Sequence, residues 1–144
     1  MGRVVVHLHR VPKDKAISVI VSDYGRRLRS RGVSLETHSE RYGSERYESE
    51  LSNLSGSLVL LDESGETKTS LEFASWLSSA ELDRDPTNLA VGSSEGFSDS
   101  LKERADYLIA LSSMTLSHEL AAAVLMEQLY RASEINRGTS YHRD

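Results

Sequence analysis

The chain has 144 residues, enough for one domain to bury a core, since domains commonly run to about 100–150 residues. With 38% hydrophobic and 27% charged residues it reads as a folded protein rather than a disordered one, and the lack of cysteine excludes disulfides, thiolate nucleophiles and Cys-based zinc sites. A net charge of -5 and a pI near 5.5 argue against holding RNA mainly by phosphate neutralisation, and the absence of an apolar run near the ~18 residues of a membrane span, or of an apolar leader in residues 1–10, leads to an expected cytoplasmic location.

Val4–Leu8 is a β-branched run that predicts a first strand. Beyond Pro12, apolar residues at Ile17, Ile20, Val21, Tyr24 and Leu28 follow helical spacing until Gly32. Arg26, Arg27, Arg29 and Arg31 crowd the end of that helix, where cations meet the helix dipole favourably; they are also the densest basic patch in an acidic chain. Val33, Leu35 and Thr37 alternate with polar residues, which predicts a second, half-buried strand. Residues 39–50 are polar and predict a loop or a weak helix whose inner face would be Tyr47, Leu51 and Leu54.

Residues 58–61 are apolar without alternation, the pattern of a strand covered on both faces, and residues 62–65 are expected to turn the chain. Thr69 and Glu72 form a capping box for a helix with a buried stripe of Phe73, Ala74 and Leu77. After Pro86, residues 89–91 predict a strand that runs into the glycine-containing 92–96 loop. Ser100 and Glu103 are expected to cap a short helix, residues 107–111 to form the last strand, and residues 118–135 a long helix ended by Gly138.

Strands separated by helices predict an α/β fold over residues 1–144, a parallel-rich sheet of about five strands with helices on both faces. Ligands of such sheets bind beyond the carboxyl ends of the strands, which here are Leu61 with Asp62, the 92–96 loop and the 112–117 loop. The 92–96 loop is neither GxGxxG nor a P-loop, and Ser112, Ser113, Thr115, Ser117 and His118 taken alone read as helix capping. No GxSxG elbow surrounds these serines, so a serine hydrolase is not expected. His7 and His9 would share a strand face and read as a core-edge pair rather than a metal site; no metal is expected. Residues 140–144, Ser140, Tyr141, His142, Arg143 and Asp144, combine an aromatic ring, a titratable base and a cation, and would need a docking site to hold them.

The run Ala105, Asp106, Tyr107, then Ser112, Ser113, Met114, Thr115, Leu116, Ser117, His118, then Glu127, Gln128, Leu129, Tyr130, Arg131, Ala132, Ile135, Arg137, Gly138 and Tyr141, His142, Arg143 closely resembles the C-terminal signature of the RlmH family of SPOUT RNA methyltransferases. The 92–96 loop and residues 58–62 resemble that family's glycine-rich loop and the strand before it. The resemblance implies a homodimer with a C-terminal trefoil knot, S-adenosyl-L-methionine as cofactor, and methylation of large-subunit (23S) ribosomal RNA at N3 of a pseudouridine. It implies a cofactor pocket of Leu61, Gly92, Leu111, Ser112, Ser113, Met114, Thr115 and Leu116. It further implies that His142, with Tyr141 and Arg143, lies against the partner subunit's pocket and orients the base or accepts its proton, with His118 as the second candidate. The arginine patch is the expected contact with ribosomal RNA or the assembled ribosome. Ser93 and Ser94 replace a glycine and a proline of the family pattern, Ser117 a proline and Ala122 an arginine. These departures and the net charge keep open a second reading, an RlmH-like binding protein with another RNA target or without catalysis. A flavodoxin-like receiver or nucleotide-binding domain is a third, which leaves the C-terminal signature unexplained.

Overall fold

The computed structural model describes residues 3–143. Five strands, β1 (Val4–Leu8), β2 (Val33–Thr37), β3 (Ser57–Thr67), β4 (Thr87–Ala90) and β5 (Tyr107–Ala110), form one sheet in the order β2-β1-β4-β3-β5. Every pairing is parallel, as crossovers through helices require. The helices are α1 (Lys15–Leu28), α2 (Ser44–Ser52), α3 (Ser70–Leu82), α4 (Asp99–Arg104) and α5 (His118–Arg137). Among the described residues, no helix is long and apolar enough to cross a membrane.

The period-two alternation of the strands sorts the core into two layers. Val4, Val6, Val59, Leu61, Leu89 and Ile109 face α1, α3 and α5, where Val21, Leu28, Phe73, Leu77, Leu125 and Leu129 meet them. Leu60 and Ala90 face the other way, onto Tyr47 and Leu51 of α2 and Leu101 of α4, with Phe97 between them. The run at 58–61 therefore needs no polar face, because both of its faces are covered. Tyr47 adds a polar anchor, its hydroxyl 2.7 Å from the Val91 carbonyl and 3.1 Å from that of His7, and burial pushes the phenol well above its ordinary range. β2, with one neighbour only, buries Val33 but leaves Thr37 exposed.

Local chemistry sets the helix ends. Asp14 caps α1 through the Ile17 amide, Thr69 and Glu72 form the expected box at α3, and Ser117 caps α5. α5 stops at Gly138, whose φ of 74° is the left-handed conformation glycine adopts without a Cβ penalty. At α4 the expected Ser100 and Glu103 cap is replaced. Ser98 caps the helix through the Leu101 amide, because Ser98 has extended backbone whereas Ser100 is already inside the helix. Glu48 of α2 then receives the Ser98 amide and hydroxyl.

The 62–65 segment also departs from expectation. No turn forms there: β3 runs unbroken to Thr67, and a bulge between Leu61 and Glu66 shifts its register against β5, so that Ile109 is paired with both residues. Gly65 permits this pairing: a Cβ there would lie 2.6–2.8 Å from the Leu108 carbonyl group and the Ile109 nitrogen, all of them backbone atoms.

Gly65→Ala is therefore expected to destabilise by several kcal/mol, beyond the ~1–3 kcal/mol of an ordinary strained residue. Gly25→Ala should stabilise, by about 0.5–1 kcal/mol, because a Cβ in the interior of α1 meets only ordinary contacts at 3.6 and 3.7 Å. Denaturant midpoints of the two variants should move in opposite directions; equal midpoints would remove the steric role assigned to Gly65.

Candidate active site

The bulged middle of β3 and the carboxyl ends of β4 and β5 open on a cavity of about 440 Å³, within the ~300–1,000 Å³ typical of small-molecule sites. Its wall includes Leu61, Gly92, Leu111, Ser112, Met114, Thr115 and Leu116, seven of the eight positions expected from the motifs; Ser113 is not among the lining residues. Gly92 makes the floor. A Cβ there would lie 3.3 Å from the Gly96 Cα and 3.4 Å from the Phe97 ring, so the close fold of the loop depends on a bare backbone. Gly96 donates its amide to the Ser93 carbonyl at 2.9 Å, and the Ser93 side chain is buried against Ser44 of α2 at 2.8 Å. The serine at 93 thus serves the packing of the loop. Ser112 accepts the Met114 amide at 3.0 Å, which turns the chain between β5 and α5.

Acidic groups also line this cavity, Asp62, Glu63 and Glu95. Asp62 was the legible one, being the first polar residue after the apolar run. Burial opposes its ionisation, but hydrogen bonds from Ser64 and the Lys102 ammonium at 3.3 Å outweigh that and hold the carboxyl below its ordinary range. Glu63 accepts the Thr115 hydroxyl at 2.6 Å and so ties the β3 bulge to the β5–α5 loop. His118, the second candidate base, also lines the cavity. Burial lowers its pKa, helped by Arg10 and His9 and opposed by Glu119.

Tyr141, His142 and Arg143 are not brought to this cavity within one chain. Tyr141 packs edge-on against Tyr130, with its hydroxyl 2.9 Å from Glu127 and 3.3 Å from the Tyr24 hydroxyl. Its pKa is raised, first by burial and then by these hydrogen bonds. His142 Nδ1 lies 3.1 Å from Arg131 Nη1. The Glu127–Arg131 pair, closed at 2.8 Å, therefore forms the bed on which the 139–143 segment lies. Asp144 falls outside the described residues.

The arginine patch is partly neutralised. Arg26 and Arg27 both reach Asp23 at 3.0 Å, and Arg31 contacts Glu134 at 3.4 Å and the Ser133 hydroxyl at 2.8 Å. Arg27 and Arg31 also lie over the Tyr130 ring. His7 and His9 do not act as a pair: His7 is buried and bonded to Asn88 and His38, whereas His9 stacks on Tyr47 and bonds the Tyr42 carbonyl. Ala122 is buried in α5 beside a minor cleft that Arg10 and His118 also line.

Residues 5–142 match the family model described as predicted SPOUT methyltransferase. The chain is 42% identical over 87 residues to ribosomal RNA large subunit methyltransferase H of Prochlorococcus marinus, a match covering 60% of this chain and 59% of that protein. It is 44% identical over 86 residues to the protein of the same name from Geobacter sulfurreducens, covering 59% and 56%. The match thus spans less than two thirds of the length of these relatives. The SpoU methyltransferase AviRb from Streptomyces viridochromogenes, solved in complex with AdoMet, superposes with a TM-score of 0.49 at 14% identity, over 94% of this chain and 58% of that one. With the family model matched along almost the whole chain, and with seven of the eight expected cofactor positions around one cavity, the chain belongs to the SPOUT methyltransferase family.

Proposed function

We propose that the chain is an S-adenosylmethionine-dependent methyltransferase that works as a homodimer in the cytoplasm on large-subunit ribosomal RNA, at N3 of a pseudouridine. The observation that carries this reading is the cavity at the β3 bulge and the ends of β4 and β5, lined by seven of the eight positions that the motifs assign to the cofactor. The relatives, named ribosomal RNA large subunit methyltransferase H, support the substrate class.

The residues of the cavity fit the cofactor. Bound there, S-adenosylmethionine would supply a methyl group on a positively charged sulfur. Gly92 lets the 92–96 loop fold closely at the cavity wall, and Leu61, Leu111 and Leu116 offer apolar walls. Ser112 and Thr115 offer hydroxyls, and the carboxylates of Glu63 and Glu95 suit a cationic ligand.

His142 would act at the cavity of a second copy, because its own chain holds it on the α1 and α5 face. Arg131 can only donate, so Nδ1 of His142 accepts from it and the neutral ring carries its proton on Nε2. At that cavity His142 would orient the base or accept its N3 proton, and Nδ1 can take a proton only after releasing Arg131. Tyr141 and Arg143 flank it, Tyr141 holding the segment to α1 and α5.

The test is transfer of labelled methyl from S-adenosylmethionine to ribosomes from a strain lacking this protein, with mapping of the labelled nucleotide. Label at one large-subunit pseudouridine is expected; cofactor binding without label would favour the binding-protein reading. Gly92→Val should abolish cofactor binding, whereas His142→Ala should bind cofactor normally and lose methyl transfer. If each site is shared between two copies, an equimolar co-expression of these variants should recover roughly a quarter of native activity, because half the dimers are mixed and each mixed dimer holds one intact site. No recovery would overturn the shared site. Arg26→Ala combined with Arg29→Ala should raise KM for ribosomes and flatten its salt dependence, with cofactor affinity unchanged; an unchanged KM would remove the patch from RNA contact.

A further inference from the structure

Outside that cavity, on the face covered by α2, three ligand-type atoms converge. His7 and Glu36 are cross-strand partners of β1 and β2, and His38 lies two residues beyond Glu36, so the pleat places Glu36 and His38 on one face next to His7. The imidazole of His7 is 1% exposed, and its tautomer follows from its neighbours. The Asn88 amide nitrogen donates to the carbonyls of Ser55 at 2.9 Å and Ser57 at 3.3 Å, which turns its Oδ1 toward His7 Nε2 at 2.9 Å. An amide oxygen only accepts, so Nε2 carries the proton and Nδ1 the lone pair. That lone pair faces His38 Nε2 at 3.0 Å and a Glu36 carboxylate oxygen at 3.7 Å.

We infer that His7 Nδ1, His38 Nε2 and the Glu36 carboxylate form a site for one divalent transition-metal ion of the zinc class. The three atoms lie within 4.8 Å of one another. A single N–H of His38 can join the two rings, but it leaves a carboxylate facing a lone pair; a cation satisfies all three at once. Two imidazoles and a carboxylate are the donors of known three-ligand zinc sites, with a fourth position left for water. The bond from His7 Nε2 to an anchored Asn88 oxygen is the second hydrogen bond that orients metal-binding histidines. Zinc–nitrogen bonds of ~2.0–2.1 Å at a tetrahedral angle put the two nitrogens about 3.3 Å apart, so the rings need to open by only about 0.3 Å. Glu36, whose side chain is 61% exposed, provides the way in. Burial holds both histidines below their ordinary pKa, which supports the neutral, ligating form near pH 7. An ion here would tie the edge strand β2 to β1.

The test uses the full chain stripped with a chelator, then titrated with Zn2+ by calorimetry and with Co2+ by visible absorption. One ion per chain, Co2+ bands of four- or five-coordinate intensity and a raised thermal midpoint are expected. His38→Ala should weaken Zn2+ binding by at least ~100-fold, the upper end of what loss of a supporting partner costs. Glu36→Gln at an exposed position should weaken it without affecting folding, so the test survives if His38→Ala does not fold. His9→Ala should bind as the native chain does. No stoichiometric uptake, or uptake unchanged in both the His38 and Glu36 variants, would overturn the site.

Discussion

The arrangement of the site depends on one backbone contact, the shifted pairing of β3 with β5. Ile109 is paired with Leu61 before the bulge of β3 and with Glu66 after it, and Gly65 passes so close to the Leu108–Ile109 peptide that no side chain fits. This holds the end of β5 against the bulged part of β3. The 92–96 loop at the neighbouring end of β4 completes the enclosure, and Thr115 closes it through Glu63.

Charge is organised locally in a way that the net value of -5 conceals. Carboxylates gather at the cavity, where they suit a positively charged small ligand, while arginines gather at the end of α1. Part of that basic patch is already satisfied by Asp23 and Glu134, and part is stacked on Tyr130. The two regions therefore differ in the partner they favour, and an acidic chain can still present cations where an RNA backbone would approach. Tyr141 is held on α1 and α5 by Tyr24, Glu127, Tyr130 and Arg131. A segment such as 139–143 would fray without such contacts.

Much of the fold was legible because its signals are local. Helical spacing located α1 and α5, the box at Thr69 and Glu72 located α3, and the unbroken apolar run located β3 as a strand covered on both faces. Where the reading slipped, two local signals competed or a distant one decided. Ser100 with Glu103 gave the pattern of a cap, but Ser98 carries the extended backbone and accepts the Leu101 amide. The weak helix at 44–52 was marked only by Tyr47 and Leu51, whose burial depends on the sheet beneath them. His7 and His9 looked paired by spacing, yet His7 found its partners in Asn88 and His38.

The sequence by itself determined the class of the fold, the order of its elements and the three segments that meet at the cavity, because periodicity, capping and turn chemistry act within a few residues of one another. Tertiary structure alone decided three things: that β3 clasps β5, that Glu63 and Glu95 join the cavity, and that Tyr141 and His142 lie on α5 away from it. Each depends on contacts between residues far apart in the chain, and such contacts leave no local pattern to read.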